Sequence, residues 1–202
     1  MWGVVAGSVL VLTERSRVAC QALEEVGYGW AQIKLDIICG LAFASDAMEV
    51  SLLSFMIQCA ASDWNLTDAE MASIASVVFA GELVSALFWG PMADKYGRKI
   101  CFVIACSMIF IAGLLSAFSP SLGWLLFFRG VVGFGVGGLC VPFDLLAEFL
   151  PASKRGPYLL AIEFFWTIGS CFVAGMAWLT LDSEGWRFLT AVTAIPVGLS
   201  LF

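Results

Sequence analysis

The sequence contains no histidine among its 202 residues. Histidine metal ligands, histidine general bases and the usual Ser-His-Asp or Cys-His catalytic arrangements are therefore excluded. The seven cysteines form no Cys-x-x-Cys pair, and most lie in apolar runs where a thiol behaves as a small hydrophobic group. The sequence predicts no enzyme active site, no metal site, no bound cofactor and no disulfide framework.

Charged residues are also scarce. They make up 13% of the chain, hydrophobic residues make up 61%, and the mean hydropathy is +0.95. This composition leaves too little polar surface to cover a soluble globule of this size. The net charge of −6 gives no basic excess that would indicate a nucleic-acid partner. The sequence therefore predicts an integral membrane protein whose main partner is the lipid bilayer.

The apolar runs predict an all-α protein with six membrane-spanning helices. A span needs about 20 residues to cross the hydrocarbon layer. The predicted spans are 36–60, 71–93, 100–118, 122–146, 157–180 and 188–202. The last run reaches the end of the chain before it attains that length, so we expect the sixth helix to be incomplete. Residues 1–35 are predicted to form a cytoplasmic lead-in.

The basic residues indicate how the spans are oriented. Eight of them fall on the same side of the predicted spans: Arg15, Arg17, Lys34, Lys95, Arg98, Lys99, Lys154 and Arg155. The positive-inside rule then places the N-terminus in the cytoplasm. The sequence Asn65-Leu66-Thr67 lies in the first loop on the opposite side and is a glycosylation acceptor motif, which predicts modification of Asn65.

Five ionisable residues fall inside predicted spans: Asp46, Glu49, Glu82, Arg129 and Glu163. A charge inside the membrane is costly unless it faces a cavity or a partner, so these residues are the best functional candidates. Asp46 and Glu49 share one helical face, and we expect Arg129 to pair with that face. Protonation of either carboxylate would weaken the pair. The alternative is a static buried ion pair that only fixes the helix register.

A glycine-rich stretch occupies residues 133–138 of the fourth span. It matches the Gly-x-Gly-x-x-Gly pattern, but no alternating strand precedes it and it is embedded in apolar residues, so it is not a nucleotide-binding loop. Gly133 and Gly137 instead lie one turn apart. Their spacing predicts a helix face that another helix approaches closely.

The most specific motif joins the second and third spans. It reads Gly90-Pro91-Met92-Ala93-Asp94-Lys95-Tyr96-Gly97-Arg98-Lys99, in which the glycines permit close packing and a turn and the charges mark a water-facing loop. This stretch resembles the signature between helices 2 and 3 of the major facilitator superfamily. The segments 46–50, 129–130, 147–151 and 155–156 resemble the branch that contains synaptic-vesicle-2-related proteins, organic ion transporters and sugar porters.

The resemblance implies a twelve-helix fold made of two six-helix bundles, each a pair of inverted three-helix repeats. This chain would supply the N-terminal bundle, and its partner would be the missing C-terminal six-helix half. The implied function is secondary active transport of a small organic solute, coupled to protons, by alternating access in a plasma or vesicle membrane. The alternatives are a non-transporting vesicle-type membrane glycoprotein and an inactive fragment of a longer transporter.

The resemblance also implies roles for individual residues. Asp46 and Arg129 resemble the pair between spans 1 and 4 of proton-coupled sugar porters. Glu163 replaces a glutamine that is typical of sugar porters, which favours an organic ion over a sugar, and the neighbouring Trp166 would add a cation–π contact. A conformational latch on the cytoplasmic side would comprise Gly90, Asp94, Gly97, Arg98, Glu148 and Arg155.

Overall fold

Every regular element in the described part of the chain is helical. The computed structural model describes residues 29–139, 141, 146, 150, 155–181 and 183–199. The helices are α1 (Trp30–Trp64), α2 (Asp68–Tyr96), α3 (Arg98–Ala117), α4 (Leu122–Val136), α5 (Arg155–Thr180) and α6 (Gly185–Leu199). A short 3₁₀ turn, Gly137–Leu139, continues α4. Five of the helices, α4 being counted with its 3₁₀ turn, are long and apolar enough to cross a membrane.

Local capping explains where α1 ends and α2 begins. Asn65 adopts the left-handed conformation that commonly ends a helix, with φ 51°. Two residues later, the Thr67 hydroxyl accepts the Glu70 N–H and the Glu70 carboxylate accepts the Thr67 N–H. This reciprocal arrangement satisfies amide groups at the start of α2. Only residues 65–67 therefore separate two long helices, and the first loop is shorter than the sequence predicts.

The α2–α3 connection is shorter still. α2 continues through Pro91 to Tyr96, and α3 begins at Arg98, so Gly97 alone makes the turn. Its φ of +95° is a conformation that favours glycine. The expectation that Gly97 supplies a turn is correct, whereas Gly90 lies inside α2 and makes no turn. The charged stretch is thus mainly the last turn of one helix and the first turn of the next.

The helix bounds differ from the predicted spans at several ends. α1 begins at Trp30, so it extends into the predicted lead-in, where Gly29 donates its N–H to the Gln32 side chain at 3.1 Å. α4 ends at Val136 and tightens into the 3₁₀ turn, whereas the sequence predicts one helix to residue 146. Residues 1–28, most of 140–154 and residues 200–202 lie outside the described part of the chain.

The helix pairing follows the symmetry of an inverted repeat. The α1–α2, α3–α4 and α5–α6 loops lie at one side, which we call the first face; the α2–α3 turn lies at the other side, the second face. α1 packs mainly against α5, and α4 packs mainly against α2. α1 also packs against α6, and α4 against α3. When α1, α2 and α3 are exchanged with α4, α5 and α6, the α1–α5 pairing becomes the α4–α2 pairing, and the α1–α6 pairing becomes the α4–α3 pairing. Two related three-helix repeats require this correspondence.

Both principal pairings depend on glycine at the crossing point. A Cβ atom on Gly133 of α4 would collide with the backbone carbonyl of Val78 on α2. A Cβ atom on Gly169 of α5 would collide with the carbonyl of Ala44 on α1. A Cβ on Gly137 would likewise strike the Ser85 hydroxyl. The predicted close approach at residues 133 and 137 is confirmed, and α2 is the helix that approaches.

The crossing of α1 and α5 predicts a position-specific effect of added side-chain volume. We expect Gly169→Leu to separate these helices and to cost about 1–3 kcal/mol of stability, because the backbone cannot yield easily. Gly175→Leu, on the same helix with no atom within 4 Å of its added Cβ, is the control. Thermal unfolding midpoints in detergent provide the measurement. Equal unfolding midpoints for the two variants would contradict the close approach of α1 and α5 at Gly169.

Candidate functional site

A buried ion pair lies in the interior of the bundle. The Nη1 atom of Arg129 on α4 lies 2.6 Å from Oε2 of Glu49 on α1. Its Nη2 atom donates to the Ser116 hydroxyl on α3 at 2.9 Å, and that hydroxyl donates to the Gly113 carbonyl at 2.7 Å. Arg129 is 0% exposed and Glu49 is 4% exposed. The guanidinium therefore ties three helices together, out of contact with the surface.

The resemblance implied that Asp46 is the partner of Arg129, and the structure pairs Arg129 with Glu49 instead. Depth explains the difference. Arg129 lies about two turns from the first-face end of α4, and Glu49 lies nearer that face than Asp46 by three residues, or about 4.5 Å. The longer glutamate side chain also reaches further across the helix boundary. The wider prediction, that Arg129 pairs with the acidic face of α1, is confirmed.

Small residues make room for the pair. A Cβ atom on Gly113 would lie 3.8 Å from Oε1 of Glu49 and 3.4 Å from Cβ of Ala194 on α6. The carboxylate thus lies against the side of α3 that faces α6. The Nε atom of Arg129 is buried and has no hydrogen-bond partner among the residues that the structure describes. Removal of one charge from such a pair typically costs about 3–5 kcal/mol, because the other charge is left buried alone.

Asp46 has a different environment from Glu49. Its side chain is half-buried, and the carboxylates of Glu82 on α2 and of Glu49 are close enough to act on its charge. Among the described residues, no lysine or arginine forms an ion pair with Asp46. Ser85 donates to the backbone carbonyl of Glu82 and not to its carboxylate. Asp46 therefore shares its part of the interior with other acids, while Arg129 is paired with Glu49.

An aromatic pair connects α1 with α5 close to these acids. The rings of Phe43 and Trp166 meet edge to face, with centroids 5.9 Å apart and an interplanar angle of 63°. Phe43 lies three residues before Asp46, and Trp166 lies three residues after Glu163, so each ring shares a helix face with a carboxylate. Glu163 is exposed on the bundle surface. The structure thus brings together two aromatic rings from adjacent helices, each within one helical turn of an acid on its own helix.

The predicted latch residues are only partly described. Asp94 is exposed in the last turn of α2, Arg98 is half-buried at the first position of α3, and a Cβ on Gly90 would meet no atom within 4 Å. Glu148 lies outside the described residues. Arg155 begins α5, but its side chain is not described. The latch therefore stays a prediction.

The predicted glycosylation site lies in the short loop at the first face. Asn65 is exposed, while the Thr67 hydroxyl of the same motif donates to the Glu70 carboxylate at 2.8 Å. Modification of Asn65 also stays a prediction.

Sequence reasoning missed Ser116 and Phe43. Ser116 is one hydroxyl in a long apolar run, and nothing in the sequence places it beside Arg129, which lies in the next helix. Phe43 carried a usable signal, since it lies one helical turn before Asp46 on the same face. Its contact with Trp166, however, depends on how α1 and α5 pack.

Comparison with known proteins identifies the family. The family model described as "Sugar (and other) transporter" matches residues 34–202. The chain is 42% identical over 181 residues to organic cation/carnitine transporter 7 of Arabidopsis thaliana, covering 90% of this chain and 36% of that protein. It is 41% identical over 176 residues to the synaptic vesicle 2-related protein of Bos taurus, covering 87% and 32%. The chain therefore spans about a third of the length of these relatives.

Solved structures agree on the fold. The xylose transporter XylE from E. coli in an inward-open conformation superposes with a TM-score of 0.73 at 20% identity, covering 84% of this chain and 47% of that one. The same symporter bound to 6-bromo-6-deoxy-D-glucose gives a TM-score of 0.75 at 19% identity, covering 86% and 44%. The chain belongs to the sugar (and other) transporter family and has the fold of one six-helix bundle of the major facilitator superfamily.

Proposed function

We propose that this bundle forms the N-terminal half of a secondary active transporter that moves a small organic solute together with protons by alternating access. The observation that carries the proposal is the separation of two roles along α1. Glu49 neutralises the buried Arg129, and Asp46 is left beside other carboxylates with no ion pair to any lysine or arginine that the structure describes. A bundle that needed only a structural ion pair would have no use for the additional acids.

Asp46 is the proton carrier in this proposal. An uncompensated carboxylate in the membrane interior is costly, and binding a proton removes its charge. Glu49 already has a cation partner, because its carboxylate lies 2.6 Å from Arg129. Protonation and solute binding would then change the relative free energies of the outward-open and inward-open states, and the two bundles would rock about the solute.

Replacement of the proposed carrier separates coupling from solute movement. Asp46→Asn keeps the shape of the side chain but removes the proton site. We expect accumulation driven by a pH gradient to be lost, while exchange of solute at equal concentrations survives, because exchange requires only binding and rocking. The measurement uses full-length protein in proteoliposomes, with the solute chosen from an uptake screen of organic cations, anions and sugars.

Glu49→Gln is the control for Asp46→Asn. It leaves Arg129 buried without a counter-ion, so we expect it to lower folded yield and both transport modes together. Gradient-driven accumulation that persists in Asp46→Asn with normal pH dependence would contradict the assignment and make Glu163 the next candidate.

The side chains near Asp46 favour an organic cation as solute. Phe43 and Trp166 offer ring faces and edges, and Asp46 and Glu163 offer negative charge at either side of the pair. Such a combination suits an alkylammonium group. The relative from Arabidopsis thaliana is named as an organic cation/carnitine transporter, which supports this choice. A sugar is the alternative, because XylE transports xylose and shares the fold.

The aromatic pair predicts a loss of affinity for cations when one ring is removed. We expect Trp166→Leu to weaken competition by tetraethylammonium about tenfold, since a desolvated cation–π contact is worth about 1–2 kcal/mol. Trp166→Phe should retain most of the affinity. Trp178→Leu, at a tryptophan of the same helix that is 83% exposed, is the control. Competition by xylose that exceeds competition by tetraethylammonium in the wild type would favour the sugar.

The charged second face is proposed to be cytoplasmic and to carry the latch. Arg98 and Lys99 occupy the first turn of α3, where the helix dipole disfavours positive charge. Their location is therefore better explained by partners on other segments than by helix stability. Arg98 would act with Asp94, Glu148 and Arg155 to hold the cytoplasmic side closed, while the N-terminus lies on the same side.

Loss of the Arg98 charge tests the latch. We expect Arg98→Ala to reduce the transport rate severalfold while leaving membrane insertion intact, because the latch changes the populations of the two states without touching solute. Lys99→Ala, which removes an exposed positive charge from the adjacent position, should have a smaller effect. Uptake rates normalised to surface protein provide the measurement. Equal uptake rates for Arg98→Ala and the wild type would contradict the proposed role of Arg98 in the latch.

A non-transporting vesicle protein is the second candidate. It is favoured by the 41% identity to the synaptic vesicle 2-related protein. The acids around Asp46 argue for transport, because binding or trafficking alone does not require charges inside the membrane. Failure of the full-length protein to move any solute of the three classes would favour the vesicle role.

A further inference from the structure

Trp89 lies at the second-face end of α2, one residue before Gly90. Its side chain is buried, with 2% exposure, and its indole N–H donates to the backbone carbonyl of Phe134 on α4 at 2.8 Å. The indole also packs against the rings of Phe88 and Phe134, with centroids 5.6 and 5.9 Å away. Trp89 of α2 thus donates a hydrogen bond to the main chain of α4 inside the bundle.

The carbonyl that Trp89 binds lies at the point where α4 changes its helical geometry. The α-helix ends at Val136, and residues 137–139 form the 3₁₀ turn. If the α-helix continued, the N–H of Gly138 would donate to the Phe134 carbonyl, four residues earlier. The indole of Trp89 supplies a hydrogen bond to that same oxygen. The Phe134 carbonyl therefore accepts the indole N–H at the point where an uninterrupted α-helix would also supply the Gly138 N–H.

Glycine makes both geometries available to this segment. A Cβ on Gly138 would lie 3.0 Å from the Trp89 ring and 2.6 Å from Cβ of Ala105 on α3. The indole therefore occupies the space directly beside Gly138. Since Gly137 and Gly138 carry no side chains, little opposes a change between 3₁₀ and α geometry except the neighbouring helices and the hydrogen bond from the indole.

We propose that the end of α4 is a two-state switch, in which the hydrogen bond from Trp89 to Phe134 holds residues 137–139 in the 3₁₀ form and its release lets the α-helix continue. The geometric consequence is large for so small a segment. A 3₁₀ helix turns about 120° per residue and rises about 2.0 Å, against about 100° and 1.5 Å for an α-helix. Conversion of three residues from 3₁₀ to α geometry would therefore rotate the chain that follows Leu139 by about 60° and shift it by about 1.5 Å relative to the rest of α4. The switch does not depend on which solute, if any, the protein moves.

The test follows individual glycine amides by NMR in the full-length chain labelled with ¹⁵N-glycine and placed in lipid nanodiscs. Trp89→Phe keeps an aromatic ring but removes the donor. We expect the Gly138 amide to exchange with solvent about 3- to 10-fold more slowly in this variant, because it gains the Phe134 carbonyl as partner. General loosening would make the exchange faster. Trp30→Phe, at a tryptophan that is 79% exposed, is the control and should leave Gly138 unchanged.

The outcomes of these measurements are distinct. Unchanged or faster exchange of Gly138 in Trp89→Phe overturns the proposal. If that variant does not fold, two exchange measurements on the wild type test the proposal instead. The Trp89 indole proton should exchange at least about tenfold more slowly than that of Trp30, and the Gly138 amide should exchange faster than that of Gly130, inside α4. A Gly138 amide as protected as Gly130 would show that the α-helix already continues, which also overturns the proposal.

Discussion

The rest of the bundle depends on the buried contact between Arg129 and Glu49. A guanidinium in the membrane interior is stable only if its charge and its N–H groups find partners. Here the partners come from two other helices, since Glu49 lies on α1 and Ser116 on α3. Their meeting fixes the depth of α4 relative to both. Gly113 lies beside this contact, where an added Cβ atom would be at an ordinary contact distance of 3.8 Å from the Glu49 carboxylate.

This contact also explains why the two acids of α1 have different environments. Glu49 is used to stabilise the fold, so its charge is compensated. Asp46 lies one turn away beside Glu82, and its charge is not compensated by any described lysine or arginine. Among the described residues, buried Arg129 is matched by Glu49, while the half-buried Asp46 and Glu82 add negative charge, and this imbalance is the physical basis of the proposed proton coupling. Glu49 of the ion pair and Asp46, the proposed functional carboxylate, lie on one helix face.

Close backbone packing is the second requirement, and it occurs once in each of the two principal pairings between the repeats. Gly133 admits α2 against α4, and Gly169 admits α5 against α1. In lipid there is no hydrophobic driving force between helices, so this close packing contributes much of the association. Because residues 137 and 138 are glycines, the end of α4 has little intrinsic preference between 3₁₀ and α geometry. Trp89 then decides its geometry from a neighbouring helix.

The sequence by itself determined the membrane environment, the all-helical fold and the superfamily motif, because hydropathy and motif spacing are local properties. The sequence also placed five charges inside predicted spans, of which Arg129 and Glu49 are buried and Glu163 is exposed. It also determined that Arg129 needs an acid from α1. Only the tertiary structure decided that this acid is Glu49, that Ser116 assists, and that Phe43 meets Trp166. These choices depend on the relative depth and rotation of helices that are far apart in the chain. A difference of one helical turn, about 5.4 Å, exchanges one partner for another, and no local pattern specifies it.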